Sequence, residues 1–279
     1  MINRTYEPFA MGSFQDQPKI AELINNGDTI FLELQYDNGE PYISGGPLEG
    51  KFLLEHIYFH WLGNDTFESV NHTNSVFFPA ELHLAFRNDK YPTYFEAARV
   101  NNGIAMLAYH YKVTEFDKNI YYEFMKALED VIKPGAVAKI RGPLKLWDLI
   151  SYDIHDYYTY TGTLTTMLCD EDVTWIEFND PIEISENQVD IFRKLKAYDM
   201  SPMIYSQHHM LPLSNRTVFN AFILEDPDSG IPIYHSAVPF VDNLVGVAAT
   251  WKPAEIQICI GIFSVLITTL ITSARYIIA

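Results

Sequence analysis

The stretch His56–Leu84, HIYFHWLGNDTFESVNHTNSVFFPAELHL, decides the fold. Two runs in it, HIYFHW and AELHL, alternate in character and are joined by a polar loop. Alternation at period two predicts β-strands. Side chains alternate faces along a strand, so His56, Tyr58 and His60 share one face, and Glu81 and His83 share one face of the second run. Neighbouring strands that bring His60 and His83 together would start a zinc site. Zinc takes four ligands, or three plus a water where it is catalytic. The stretch supplies two imidazoles and, where a third is expected, a tyrosine.

Outward from that stretch, the 279 residues contain no linker-like Gly/Ser/Pro run, which predicts one large domain. Aromatic residues make up 14% of the chain, which suits a β-rich fold with a sizeable core. The formal charge of −17 argues against nucleic acid, an anionic membrane surface or a sulfated glycan as main partner. The two cysteines, Cys169 and Cys259, are not expected to pair, because Cys259 lies in an apolar tail. Four N-glycosylation triplets, at Asn3, Asn64, Asn71 and Asn215, tilt the reading toward a secreted or surface protein. The N-terminus, MINRTYEPFAMG, has no apolar core and does not read as a signal peptide. Either the protein is intracellular, or its natural chain starts earlier.

Two short strands are predicted within Pro18–Leu34 about the turn Asn25-Asn26-Gly27-Asp28; Tyr42–Leu54 continues with a turn at Gly45-Gly46-Pro47 and then the strand carrying His56, and Gly103–Val113 reads as an apolar-rich strand. A loop and short helix are expected in Asp89–Val100. Phe116–Lys133 reads as a helix with Ile120, Phe124, Leu128 and Val131 on its buried face, ended by Pro134-Gly135. Asp153–Thr166 reads as a Tyr/Thr-rich loop and Val173–Phe178 as a strand. Ser185 and Gln188 predict a capping box opening a second helix, with Ile184 and Val189 as its hydrophobic staple. Late strands are expected in Arg216–Leu224 and Pro232–Ala237. His110, His155, His208, His209 and His235 read as ordinary polar residues. Ile256–Thr272 is apolar and uncharged, just short of the roughly 20 residues of a bilayer span. Membrane attachment is expected there, as a spanning helix or as a cleaved glycolipid-anchor signal, rather than a buried core helix.

Several segments together resemble the α-carbonic anhydrases: Ile24-Asn25-Asn26-Gly27, Ser44-Gly45-Gly46-Pro47-Leu48 with Gly50, His56–Leu84, and Tyr160–Trp175. EISENQVDIFRKL and Leu213-Ser214-Asn215-Arg216 also fit, in the family's order and spacing over about residues 8–224. The resemblance implies an α+β, mostly β fold: a large, twisted, mainly antiparallel central sheet with peripheral helices. Here it would occupy 1–250, with a C-terminal hydrophobic segment over 251–279. The resemblance also implies a zinc held by three histidines, whose bound water falls to a pKa of about 7 and hydrates carbon dioxide. At the three ligand positions stand Tyr58, His60 and His83. Glu81 matches a carboxylate that orients another ligand, and Thr165, with Thr166 beside it, matches the threonine that orients the hydroxide. Asn71 stands where a glutamate would fix that threonine, followed by the matching His72 and Thr73. Asp28 stands where a histidine would shuttle protons, and Met167 and Leu168 stand where prolines would follow the threonine pair. Cys169 matches a position that, in extracellular members, pairs with a cysteine that would here precede residue 1.

A phenol of ordinary pKa near 10 is a poor zinc ligand. His56 does not replace Tyr58, because it lies about 6.6 Å farther along the strand, leaving His56 and His60 about 13 Å apart. The expectation is therefore a carbonic anhydrase-related extracellular protein, tethered to the membrane through its C-terminus. Zinc is expected to be weak or absent, hydratase activity lost or weak, and the scaffold offered to an unidentified protein partner. On this reading His60 and His83 are satisfied core histidines. The alternative is a working zinc hydratase, acting on carbon dioxide and bicarbonate, with Tyr58, His60, His83 and water around the metal. An incomplete copy that folds poorly is the third reading.

Overall fold

In the computed structural model, which describes residues 2–63, 78–151, 153–163, 172–203 and 217–223, the alternating runs become strands. In chain order these are β1 (Ile2–Gly12), β2 (Ile20–Asn25), β3 (Ile30–Gln35), β4 (Tyr42–Gly46), β5 (Lys51–Trp61) and β6 (Ala80–Asn88). They continue as β7 (Ile104–Thr114), β8 (Val137–Lys139), β9 (Tyr157–Gly162), β10 (Val173–Phe178), β11 (Ile182–Ser185) and β12 (Phe219–Ile223). The helices are α1 (Tyr94–Ala97), α2 (Tyr122–Asp130) and α3 (Glu186–Arg193). All described residues belong to one unit, Met1–Asp242. Among them, no helix is long and apolar enough to cross a membrane.

The described strands form one mixed twelve-stranded sheet. β5, β6 and β7 run antiparallel side by side at its centre, while β7 pairs in parallel with β10 and β11. β1 is also parallel to β12, and the remaining pairings are antiparallel. Because side chains alternate across a strand, the register sorts residues into two faces. Ile57, Phe59 and Trp61 of β5 join Leu82 and Leu84 of β6 and Leu107 and Tyr109 of β7 in the main core. Phe59 meets Phe124 of α2 at 5.3 Å and Phe192 of α3 at 5.5 Å between ring centroids. The other parity places Tyr58, Ala85, Met106, Ala108, Val173 and Trp175 in a separate, smaller cluster.

The capping box forms as the sequence predicts. Ser185 Oγ accepts from the Gln188 N–H at 3.1 Å, and Gln188 Oε1 accepts from the Ser185 N–H at 3.1 Å. Ile184 and Val189 are buried. The β2–β3 turn is also as expected. Asn25 Nδ2 donates to Val131 O at 2.9 Å, and Gly27 sits at φ +89°, where a Cβ would meet the Tyr198 ring at 2.3 Å.

Two expectations change. The helix expected over Phe116–Lys133 is shorter: a 3₁₀ turn, Asn119–Tyr121, precedes α2. That turn shifts the phase, so Tyr121 is buried while Ile120 is 47% exposed; Phe124, Leu128 and Val131 remain inside. Part of the expected loop Asp153–Thr166 is β9, whose Tyr and Thr side chains suit a pleated surface between β10 and β12. The sequence pattern assigns no strand to β1, whose mostly exposed side chains show no apolar alternation. Pro232–Ala237 and the apolar run Ile256–Thr272 lie outside the described residues.

Candidate functional site

Strand register assembles the site. Tyr58 lies directly opposite His83 across β5 and β6, and His60 lies opposite Glu81. All four are buried, Tyr58 to 2% exposure. The Tyr58 ring centroid stands 5.3 Å from that of His60 and 5.3 Å from that of His83, and the two imidazoles are 4.7 Å apart. The three residues expected at the ligand positions therefore meet. The Tyr58 hydroxyl donates to Met106 Sδ at 3.6 Å.

The structure pairs Glu81 with His83, two residues along its own strand. Glu81 Oε2 lies 3.1 Å from His83 Nε2. An ionised carboxylate only accepts, so Nε2 of His83 carries the proton. His83 Nδ1 has no hydrogen-bond partner among the described residues. Burial works to raise the Glu81 pKa, but the imidazoles of His110 and His83 outweigh it and hold the carboxyl well below its ordinary range.

His110, which reads in the sequence as an ordinary polar residue, is part of this cluster. β6 and β7 place it opposite Glu81. Its Nε2 hydrogen-bonds Glu177 Oε1 at 2.9 Å, and its Nδ1 stands 3.2 Å from Glu81 Oε1, an ion-pair contact too bent for a hydrogen bond. Phe78 stacks on its ring at 4.6 Å. Burial alone lowers the His110 pKa, but the two carboxylates more than compensate and raise it to about 10. The stability from this charge is complete below the ordinary value of 6.5 and lost as pH rises through about 10. The wild-type melting temperature is accordingly expected to fall more steeply between pH 7 and 10 than that of His110→Phe/Glu177→Val. Equal slopes in parallel thermal scans would show that His110 is not the charged member.

The remaining site residues are dispersed or undescribed. Asp28 is exposed in the β2–β3 turn, its N–H bonded to Asn26 Oδ1 at 3.0 Å. Asn3 is exposed on β1. The His56 ring packs beside Tyr94, at 5.0 Å, and Phe31, at 6.1 Å. Asn71, His72, Thr73, Thr165, Cys169, Asn64 and Asn215 lie outside the described residues.

A zinc centre of the three-histidine kind does not fit the donors present. Two imidazoles converge, but the third position holds a phenol engaged with a thioether. Among the described residues, no group of three or more His, Cys, Asp or Glu side chains is arranged to hold a metal ion.

The family pattern of the eukaryotic-type carbonic anhydrases matches residues 1–222. Similar proteins include carbonic anhydrase 6 of Mus musculus, 31% identical over 193 residues, covering 68% of this chain and 59% of that protein. The mitochondrial carbonic anhydrase 5B of Homo sapiens is 31% identical over 210 residues, covering 71% and 63%. Carbonic anhydrase 3 of Homo sapiens is 28% identical over 206 residues, covering 72% and 77%. The chain thus spans less than two thirds of the length of the first two relatives.

Proposed function

The chain belongs to the eukaryotic-type carbonic anhydrase family, and from that premise we propose that it is a carbonic anhydrase-related protein whose zinc site is degraded. Carbon dioxide hydration is lost or weak, and the sheet serves as a rigid scaffold that binds a protein partner. The observation that carries this reading is Tyr58, buried at a ligand position with its hydroxyl on Met106 Sδ. A neutral phenol does not replace an imidazole at zinc, which takes nitrogen, thiolate or carboxylate donors. The exposed Asn3 triplet and the apolar run Ile256–Thr272 support a glycosylated, membrane-tethered protein on the extracellular side.

A second reading, an active zinc hydratase, is favoured by one observation: His60 and His83 still converge, with Glu81 holding His83. Metal analysis of the purified full chain, beside a hydration assay, separates the two. Little zinc and a rate no faster than buffer are expected. About one zinc per chain with hydration well above buffer would end the scaffold reading.

A further inference from the structure

Beside the ligand positions, polar groups, all buried except the half-buried Tyr160, run across neighbouring strands on one face. β6 contributes Glu81 and His83, β7 contributes His110, β10 contributes Glu177, and β9 contributes Tyr160. Glu81 Oε2 meets His83 Nε2 at 3.1 Å and Glu81 Oε1 meets His110 Nδ1 at 3.2 Å. Glu177 Oε1 meets His110 Nε2 at 2.9 Å, and Glu177 Oε2 accepts from the Tyr160 hydroxyl at 3.4 Å. Each of the four carboxylate oxygens therefore faces a polar group of the chain. At the β9 end, the Tyr160 ring stacks on Trp175, at 6.2 Å and an interplanar angle of 4°, and Trp175 in turn packs edge-on against His83 at 5.3 Å.

We propose that His110 and Glu177 are positioning residues, which fix the plane of the Glu81 carboxylate and through it the proton and ring orientation of His83, without a metal ion. A buried carboxylate held at one oxygen is free to turn about its last side-chain bond. Glu81 is hydrogen-bonded at one oxygen to His83 Nε2 and drawn at the other toward the His110 ring by an ion-pair contact, so a turn of the carboxylate would separate it from both imidazoles. Glu177 has the same effect one strand farther out, because it anchors the other nitrogen of His110. Two buried carboxylates flanking one imidazole are costly to bring together unless the ring between them is cationic. The arrangement therefore also explains why a histidine rather than an apolar residue occupies position 110 in the buried part of β7, IAMLAYHY. This inference goes beyond the functional reading and does not depend on it, because its test uses metal-stripped protein.

The experiment is side-chain nitrogen NMR on the full chain, labelled at histidine and treated with a chelator, with His83→Gln used to assign the His83 signals. Wild type is expected to show His83 as a single tautomer, protonated at Nε2. In His110→Phe/Glu177→Val, which removes both partners together and strands no carboxylate at 177, the single pattern is expected to be lost, with two tautomers or exchange broadening in its place. Glu177→Gln, whose amide oxygen still accepts from His110, is expected to keep the wild-type pattern. Circular dichroism and melting temperature report the fold alongside, and a merely structural role would lower stability without moving the tautomer. Should the double variant fail to fold, His110→Gln, which cannot serve both carboxylates as a cation, is read in the same way. Mixed tautomers in wild type, or an unchanged His83 pattern in the folded variant, overturn the proposal. Zinc content of untreated protein bears on the functional reading alone.

Discussion

Replacing Tyr58 by histidine is expected to raise zinc affinity by at least about a hundredfold, since loss of a residue that merely supports a ligand already costs 10–100-fold. The geometry favours the gain. Three imidazoles bound to a tetrahedral zinc at about 2.0–2.1 Å per nitrogen place their ring centroids roughly 5 Å apart. The separations among Tyr58, His60 and His83 are 5.3, 5.3 and 4.7 Å. The strand frame has therefore kept the spacing of a three-ring site while one ring has lost its donor. Histidine is smaller than tyrosine, so it enters without overpacking, and it gives up the hydroxyl's contact with Met106 Sδ. Zinc retained after dialysis against a chelator of known affinity is the measurement. A folded variant that binds zinc no better than wild type would show that the frame, not the donor, is at fault. Hydration is expected to return less fully than zinc, because Asn71 and Asp28 still stand where the family pattern has a glutamate and a histidine.

His110→Ala is expected to destabilise the chain by about 3–5 kcal/mol, the cost of removing one partner from a buried ion pair. The substitution leaves Glu81 and Glu177 buried without the imidazole between them. His110→Phe/Glu177→Val should recover part of that loss, since it removes one of the two stranded carboxylates while Glu81 keeps only His83. Urea unfolding of the three proteins reads the difference directly. A cost under about 1 kcal/mol for His110→Ala would mean that the carboxylates find water or protonate cheaply, against the burial of both.

How much of the site was legible depended on how local its signal is. His60 and His83 were visible because H-x-H-like alternation and the AELHL run each specify a face within a few residues. Tyr58 was visible as a departure for the same reason, and Glu81 because its partner His83 is two residues away. His110 and Glu177 carried only a weak signal, a polar side chain inside an apolar strand. Their partnership depends on β7 and β10 lying parallel, with Ala108 beside Glu177, at a sequence separation of 67 residues. The β9 residues read as a loop because their Tyr and Thr side chains carry no clear alternation without knowledge of the neighbouring strands. Helical periodicity places Ile120 inward, but the turn that holds it is 3₁₀, where the phase per residue differs, and Ile120 faces outward.

Local residue pattern by itself determined the strand faces, the Ser185 helix cap, the family and the substitution of a phenol for an imidazole at the site. Each of these is specified by neighbours within a few positions along the chain. Only the tertiary structure decided that Tyr58 turns its hydroxyl to Met106, that Glu81 serves His83, and that His110 and Glu177 continue the polar row beyond them. Those contacts arise from strand register and sheet order, which long-range pairing of the backbone sets and a single sequence does not display.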